Sequence, residues 1–317
     1  MLRAGDLVGF PTETVYGLGA DALNPAALRQ IYAVKGRPPD NPLILHLASP
    51  EQLDLVAREV GAIADILIQR FWPGPLTLVL AKSPAVPALA TGGLDTVAVR
   101  MPDHRVALAL IRAAHTPLAA PSANRSGRPS PTTARHVFDD LQGCIPLILD
   151  AGPTAIGVES TVLDVTASPP VLLRPGGIPR EVLEATIGPI QLPQDSATRR
   201  RSPGTRYRHY SPRAGLRLLD PEQPHTLRSE LATALQHGQR VGCLLHRLQL
   251  SDVPPDVLVT RIPECLAAYA HALFSALRAF DAAAVDLILV EGVPEKGLGA
   301  AIMDRLRRAA APVDRQL

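Results

Sequence analysis

A chain of 317 residues is long enough for two domains, each with its own hydrophobic core. Hydrophobic residues make up 46% of the chain, which argues against intrinsic disorder, and the net charge of +2 is too small to indicate nucleic-acid binding. Three scattered cysteines without metal-ligand spacing argue against a disulfide framework and a zinc site. Without a signal pattern or a membrane-length apolar run, we expect a cytoplasmic protein.

The first 185 residues alternate short apolar strands with helical patterns, which predicts an α/β domain built around a sheet. Strands are predicted at residues 7–10, 43–47, 76–81, 97–100, 118–120, 147–150, 160–164 and 171–174. Helices are predicted at residues 25–34, 50–57, 61–71, 105–114 and 133–141.

The first motif, residues 10–22, reads FPTETVYGLGADA. Its Gly17-Leu18-Gly19 formally starts a dinucleotide-binding pattern, but the predicted strand ends seven residues earlier, so a nicotinamide site is not expected. Thr12, Thr14 and Tyr16 instead place hydroxyls on a loop that leaves a strand, where α/β folds bind ligands. The alternative is turn chemistry, in which these hydroxyls satisfy the local backbone.

The second motif, residues 35–46, reads KGRPPDNPLILH and places Lys35 and Arg37 on either side of Gly36, with Asn41 close behind. The chain has three lysines against 29 arginines. A lysine beside an arginine combines a point charge with a planar fork, a pair that suits a polyphosphate. The alternative is two solvated cations at the entrance of a strand.

The third motif, residues 120–132, reads APSANRSGRPSPT and follows an apolar strand. Ser122 and Asn124 are two positions apart, so they face the same side of an extended chain. Together with Ser130, they indicate a nest of hydroxyls, an amide and backbone N–H groups for an anion. The alternative is an ordinary Ser/Asn/Pro loop.

Two strands end in an arginine followed closely by proline, at Arg100 and Arg174, and Ser160 begins another strand. We expect both arginines to converge with Lys35 and Arg37 at one sheet edge. The sequence has no P-loop, no G-x-S-x-G, no H-E-x-x-H and no clustered acidic ligands. These residues favour positioning and charge neutralisation over covalent catalysis, and we predict no protein metal site.

The chain changes character at residues 186–215, where prolines and six arginines between Arg199 and Arg213 interrupt any period. This pattern predicts an extended linker. From residue 216 strands and helices alternate again, which predicts a small doubly wound domain over 216–317. Its strands are predicted at 216–219, 241–246, 257–260 and 287–290, and its helices at 223–236, 264–281 and 300–310.

These motifs together, with SPGTRYRHYSP at 202–212 and GLGAAIMDRLRRAA at 297–310, resemble the long, two-domain form of the L-threonylcarbamoyladenylate synthase family. The resemblance implies a YrdC-like twisted mixed sheet with helices in residues 1–185. It also implies an active-site lid at 186–215 and a small Rossmann-like C-terminal domain at 216–317.

The activity implied by this resemblance is synthesis of L-threonylcarbamoyladenylate and pyrophosphate from L-threonine, bicarbonate and ATP. The product would serve threonylcarbamoyladenosine modification of tRNA, through a downstream threonylcarbamoyl transferase complex. Magnesium would be carried on the ATP phosphates without a dedicated protein cage. Neither a membrane nor a stable nucleic-acid complex would be required.

The resemblance also implies roles for individual residues. The catalytic residues would be Lys35, Arg37, Ser122 and Asn124. Threonine would contact Thr14, His46, Arg100, Ala120 and Ser160. ATP would contact Arg37, Asn41, Thr96, Ser122, Ser130 and Arg174, and His209 and Tyr210 of the linker would close over it.

The alternative from another class is a double-stranded RNA-binding module without catalysis. The basic face and the arginine-rich linker would then follow a phosphate backbone. Aromatic residues, which stack on bases, make up only 3% of the chain and argue against this alternative. Threonine plus ATP should raise the melting temperature of a synthase, whereas RNA alone should not.

Overall fold

The computed structural model describes residues 1–203, 209–220, 222–223, 225–250, 253–254 and 256–311. The chain divides into two compact units. The first comprises Met1–Ser126 and Ser130–Tyr207, and the second comprises Gly127–Pro129 and Arg208–Leu317.

The first unit contains a mixed sheet of nine strands in the order β7-β1-β2-β6-β3-β5-β4-β8-β9. Neighbours β1 and β7, β3 and β5, and β4 and β8 are parallel, and the other pairs are antiparallel. This sheet and its helices confirm the predicted fold class. The strands are β1 (Val8–Phe10), β2 (Gly17–Asp21), β3 (Ile44–His46), β4 (Leu76–Ala81), β5 (Thr96–Arg100), β6 (Leu118–Ala119), β7 (Leu147–Ile148), β8 (Thr161–Asp164) and β9 (Val171–Arg174).

The helices of this unit match the predicted ones as far as residue 141, except that the predicted helix at 50–57 is a 3-10 turn followed by one α-helical turn. Helices α6 and α7 were not predicted. The helices are α1 (Pro25–Lys35), α2 (Leu53–Val56), α3 (Ala62–Phe71), α4 (Arg105–Ala114), α5 (Ala134–Leu141), α6 (Arg180–Ile187) and α7 (Ser196–Arg199), with 3-10 turns at Leu2–Ala4 and Pro50–Gln52.

Helix α1 has a defined start and a defined end, and its end fixes the position of Lys35. The Asn24 side chain accepts hydrogen bonds from two backbone N–H groups of the first turn, and Pro25 occupies the first helical position. Gly36 ends the helix in the left-handed conformation, with φ of 61°, which a glycine adopts without strain. Lys35 is therefore the last helical residue and is buried.

Strand β5 shows how the sheet separates its core from its polar face. Val97 and Val99 point into the main hydrophobic core, whereas Ala98 belongs to a small cluster on the opposite face. Because side chains alternate along a strand, Thr96 and Arg100 share the face of Ala98. His46, paired with Arg100 on the parallel neighbour β3, lies on that same face. Arg100 and His46, two of the predicted threonine contacts, therefore lie on the sheet face opposite the main core.

Strand β2 is the element of the sheet that the sequence did not predict. Its residues read GLGAD, and glycine, alanine and aspartate are all depleted in strands. A Cβ atom on Gly19 would lie 2.9 Å from the Phe10 ring of the neighbouring strand β1. The glycine is therefore required by the close approach of this ring, not by a bound dinucleotide.

The second unit contains a four-stranded parallel sheet in the order β10-β13-β11-β12, which matches the predicted Rossmann-like domain. No helix in the described part of the chain is both long and apolar enough to span a membrane. The elements are β10 (Gly215–Leu219), α8 (His225–Gln236), β11 (Val241–Leu245), β12 (Val257–Arg261), α9 (Leu266–Ala282), β13 (Leu287–Glu291) and α10 (Leu298–Ala310).

Glu291 closes the edge of this second sheet at which parallel folds usually bind ligands. It ends the central strand β13 and is fully buried. Its carboxylate accepts hydrogen bonds from the backbone N–H groups of His246, Arg247 and Leu248, at 2.6, 2.9 and 2.9 Å. These N–H groups therefore donate to the protein's own carboxylate and not to a bound anion.

Candidate active site

Lys35 joins the second motif to the third. Its Nζ donates to the backbone carbonyl of Ser122 at 2.6 Å and to that of Asn124. The Ser122 hydroxyl in turn donates to Asn124 Oδ1 at 2.5 Å, so the two side chains meet as their spacing predicts. Lys35 is therefore held by backbone carbonyls of the third motif.

Arg37 is buried and holds its own turn. Its Nε donates to the Asn41 carbonyl at 3.3 Å and its Nη2 to the Pro42 carbonyl at 2.8 Å. Asn41 is fully buried behind it. The guanidinium thus stiffens the segment that follows Lys35, and the alternative of two solvated cations is wrong for both residues.

The predicted threonine contacts Thr14 and Arg100 lie together, and His46 is beside them. Arg100 Nη1 donates to Thr14 Oγ1 at 2.9 Å, and Nε donates to the Gly74 carbonyl at 3.2 Å. Arg100 also forms an ion pair with Glu13. His46 is the strand partner of Arg100 and is buried. This corner combines a cation, a hydroxyl and an imidazole on one face of the sheet.

Ser160 and Arg174 form a second polar cluster, on neighbouring strands of the same sheet. Arg174 Nη2 donates to the Ser160 carbonyl at 2.9 Å and to its hydroxyl at 3.2 Å. The Ser160 hydroxyl also lies 2.8 Å from Thr77 Oγ1, a buried hydroxyl on β4. Because β4 is the neighbour of β5, this cluster continues the polar face that begins at Arg100.

The segment from residue 11 to 16, here the PTET loop, ties these groups to the third motif. Tyr16 donates its backbone N–H to the Pro131 carbonyl at 2.8 Å, and its own carbonyl accepts from Ala123 at 2.8 Å. Ser130, one residue before Pro131, donates to the Glu159 carboxylate at 2.5 Å. The loop thus lies between the predicted ATP side and the predicted threonine side.

The hydroxyls of the PTET loop divide into two roles. Thr12 donates to the Val15 carbonyl at 2.7 Å, and Tyr16 donates to the Gly152 carbonyl at 2.7 Å. For Thr12 the alternative of turn chemistry is correct, whereas the Tyr16 hydroxyl binds a backbone carbonyl distant in the sequence. Thr14 is the hydroxyl that reaches Arg100.

Two predicted residues lie apart from these clusters. Thr96 begins β5, so it shares a face with Arg100 but lies four residues away, about 13 Å along the strand. Ala120 is buried in a small apolar cluster with Phe10 and Ala107. It can therefore supply only a methyl contact or backbone groups.

His209 and Tyr210 belong to the second unit. Tyr210 is buried there, stacked on Phe274 with 5.4 Å between ring centroids, and the Arg305 guanidinium lies 5.2 Å from its ring centre. His209 packs beside it at 5.4 Å between ring centroids. Residues 204–208, in the middle of the predicted lid, lie outside the described residues.

The chemistry available here is binding and charge neutralisation. Three arginines and a lysine are buried among carbonyls and hydroxyls. Because these cations are already removed from water, they can bind an anion with little further loss of hydration. Within the described residues there is no group of three or more His, Cys, Asp or Glu side chains able to hold a metal ion.

Comparison with known proteins identifies the family. The profile of the Sua5_yciO_yrdC family, described as telomere recombination, matches residues 1–176, and that of the threonylcarbamoyl-AMP synthase C-terminal domain matches residues 178–311. A threonylcarbamoyl-AMP synthase of Pyrococcus abyssi is 50% identical, with 98% of this chain and 92% of the relative covered. A threonylcarbamoyl-AMP synthase of Bacillus subtilis is 48% identical, and the match covers 98% of this chain and 91% of the relative.

The solved structures agree with the sequence comparison. A crystal structure of P. abyssi Sua5 complexed with L-threonine matches at a TM-score of 0.92 and 50% identity, covering 98% of this chain and 92% of that one. The chain belongs to the threonylcarbamoyl-AMP synthase family. The resemblance drawn from the motifs is thereby confirmed, the protein is an enzyme of this family, and the RNA-binding alternative is not favoured.

Three polar residues of this synthase-family site were not predicted from the sequence. Glu13 lies inside the PTET motif, where the hydroxyls around it are the more typical signal of a binding loop. Thr77 is the single polar residue of the strand LTLVLA, which is a usable signal for a functional hydroxyl. Glu159 stands just before Ser160 and is buried, but nothing in the sequence indicates that burial.

The imidazole of His46 gives a testable pH dependence in this synthase fold. Burial, followed by the charge of Arg100, lowers the pKa of His46 to about 3. In the unfolded chain its pKa is about 6.5, so between about pH 6.5 and 3 only the unfolded state takes up this proton. The neutral imidazole is therefore stabilising above pH 6.5, and that stability is lost as pH falls.

Relative to a His46→Gln variant, the free energy of unfolding of the wild type should fall by about 1.4 kcal/mol for each pH unit below about 6. Urea unfolding at several pH values between about 6 and 4.5 measures this difference. His225→Gln, which removes an exposed histidine, is the matched control. Parallel pH profiles for wild type and His46→Gln would show that His46 titrates normally.

Proposed function

We propose that this chain makes L-threonylcarbamoyladenylate and pyrophosphate from L-threonine, bicarbonate and ATP, with the buried cations as its binding groups. The neutral amine of threonine condenses with bicarbonate to an N-carboxy intermediate, and one water molecule is released. Its carboxylate attacks the α-phosphorus of ATP, and pyrophosphate leaves. The observation that carries this proposal is the contact of Lys35 with the carbonyls of Ser122 and Asn124, because it joins two motifs into one anion-binding wall.

On the ATP side, the proposed contacts are Lys35, Arg37, Asn41, Thr96, Ser122, Asn124, Ser130 and Arg174. Negative charge moves onto phosphate oxygens when pyrophosphate leaves, so donors fixed beforehand lower the barrier. Lys35 and Arg37 suit this role because both are buried and held by carbonyls. Little reorganisation is then needed when the charge develops.

On the threonine side, the proposed contacts are Thr14, His46, Arg100, Ala120 and Ser160. Arg100 would bind the α-carboxylate through its planar fork. The hydroxyls of Thr14 and Ser160 would hydrogen-bond the polar part of the amino acid, and Ala120 would contact its methyl group. Holding three substrates in line supplies most of the remaining acceleration.

The proposal also includes a metal ion, the fate of the product and the location of the protein. Magnesium would be carried on the ATP phosphates, since this ion keeps most of its waters and binds chiefly to substrate phosphates. The product would pass to a threonylcarbamoyl transferase complex that modifies tRNA. A cytoplasmic location remains part of the same proposal.

The test of the proposed function is pyrophosphate release with ATP, bicarbonate and each amino acid in turn. Release should require all three substrates and should be fastest with threonine. Release without an amino acid, or equal release with every amino acid, would show an ATP-hydrolysing activity instead.

We also propose that residues 186–215 form a linker whose central part closes over the nucleotide. The segment combines histidine and aromatic side chains, which a plain spacer does not need. Tyr210 supports this proposal because its packing on Phe274 and Arg305 gives the segment a fixed far end. A closed lid would exclude water and protect a labile carbamate.

The lid predicts a change in proteolysis. Trypsin should cleave between Arg199 and Arg213 rapidly in the free protein and at least tenfold more slowly with threonine and an unreactive ATP analogue bound, because closure protects the arginines. The band pattern over time measures the two rates. Threonine alone is the control and should protect less. Equal cleavage rates in all three samples would contradict the lid.

A further inference from the structure

Glu13 is a buried carboxylate to which the mechanism above gives no role. Its side chain is 8% exposed and forms an ion pair with Arg100 Nη2, whose side chain is 3% exposed. Within the part of the chain that the structure describes, neither Glu13 oxygen has a hydrogen-bond partner, and Arg100 Nη2 has none either. The Glu13 carboxylate is therefore buried against its counter-charge without the hydrogen bonds that a buried carboxylate normally accepts.

This arrangement is costly unless a ligand completes it. A buried charge needs both a counter-charge and hydrogen bonds, and buried polar atoms without partners call for a specific explanation. Arg100 uses its other nitrogens on the Gly74 carbonyl and on Thr14 Oγ1, so Nη2 is the part of the guanidinium that remains for Glu13 or a ligand.

The backbone on both sides of the Glu13 carbonyl is fixed by hydrogen bonds to another segment, and this fixes the position of the side chain. The Glu13 carbonyl accepts a hydrogen bond from Ile156 N–H at 2.8 Å, and the Thr14 carbonyl accepts one from Gly157 N–H at 3.1 Å. The carboxylate is thus held next to Arg100 by neighbouring parts of the same unit.

An amino acid in its zwitterionic form has the groups that this pair lacks. Its ammonium offers three N–H donors, its carboxylate offers acceptors, and one carbon atom separates them. We propose that Glu13 binds the α-ammonium group of threonine while Arg100 binds the α-carboxylate, so that the pair selects an α-amino acid. This proposal rests on the proposed function, in which threonine binds at Arg100.

Without substrate, Glu13 and Arg100 neutralise each other. With substrate, each charge of the zwitterion replaces one half of the pair and adds the missing hydrogen bonds. Glu13 is then a specificity-determining residue. A purely structural ion pair would affect stability, but it would not distinguish an amine from a hydroxyl on the ligand.

The test uses the full-length protein and two ligands. One is L-threonine, and the other is 2,3-dihydroxybutanoate of matching configuration, in which a hydroxyl replaces the amine. Isothermal titration calorimetry should show that wild type prefers threonine by about 10- to 100-fold, as expected for hydrogen bonds to a charged group. In Glu13→Gln this preference should fall below about threefold, mainly through weaker threonine binding.

Glu59→Gln is the matched control, since it makes the same change at an exposed position and should leave the preference unchanged. Equal affinity of the two ligands for wild type would overturn the proposal without any variant, so it can be tested even if Glu13→Gln does not fold. A Glu13→Gln variant that weakens both ligands equally, or neither, would also overturn it. Failure of wild type to bind threonine at all would instead refute the proposed function.

Discussion

Replacing Lys35 with alanine is expected to lower the rate of pyrophosphate release by about 10²–10³-fold, an effect typical of removing a preorganised charge from a transition state. Two losses contribute to the lower rate of this variant. The ammonium is lost, and the carbonyls of Ser122 and Asn124, which it holds, lose their donor. Steady-state release with saturating threonine and bicarbonate measures the change.

A matched set of variants separates charge from packing. Lys35→Met keeps most of the buried side-chain volume without the charge and should be nearly as slow as Lys35→Ala. Lys296→Ala removes an exposed lysine and should keep wild-type activity. Arg37→Ala should also be slow by about 10²–10³-fold, if Arg37 acts on the phosphates as proposed. A folded Lys35→Ala protein with near wild-type release would remove Lys35 from the mechanism.

Valine is expected to react at least about 10³-fold more slowly than threonine, although the two side chains have almost the same shape. A site that hydrogen-bonds a substrate hydroxyl rejects an analogue without it, because its own polar groups are then left unpaired. Thr14 and Ser160 are buried hydroxyls in the proposed threonine site, and with valine each would lose the hydrogen bond that the substrate hydroxyl makes to it. The ratio of kcat/KM values for the two amino acids measures the discrimination.

Serine is the complementary substrate analogue, because it keeps the hydroxyl that valine lacks. It keeps the hydroxyl and loses one methyl contact, worth about 1 kcal/mol, so it should react only several-fold more slowly than threonine. The expected order is therefore threonine, serine and then valine. Equal kcat/KM for valine and threonine would mean that the amino acid binds elsewhere.

Most strands and helices could be predicted because their apolar runs and helical periods are strong. Strand β4, residues 76–81, and helix α4, residues 105–114, have the predicted bounds. Strand β2 could not be predicted, because its glycines are demanded by the Phe10 ring of a neighbouring strand. Local propensity holds no information about such a tertiary contact.

The site was predictable in its residue types but not in its contacts. Lysine and arginine residues at the ends of predicted strands and helices, with few carboxylates in the same motifs, indicate an anion site. The sequence does not show that Lys35 contacts carbonyls, or that Glu13 is paired with Arg100. These contacts depend on how the PTET loop crosses the sheet, which local patterns do not determine. The domain boundaries at 185 and 215 stay predictions.

The measurement that tests the central claim most directly follows carbon from bicarbonate into the product. The protein is incubated with ATP, threonine and ¹³C-labelled bicarbonate. The products are separated and identified by mass spectrometry, and the pyrophosphate released is quantified in the same samples. We predict labelled threonylcarbamoyl-adenylate in a one-to-one ratio with pyrophosphate. Pyrophosphate released with AMP but without the labelled adduct would contradict the account.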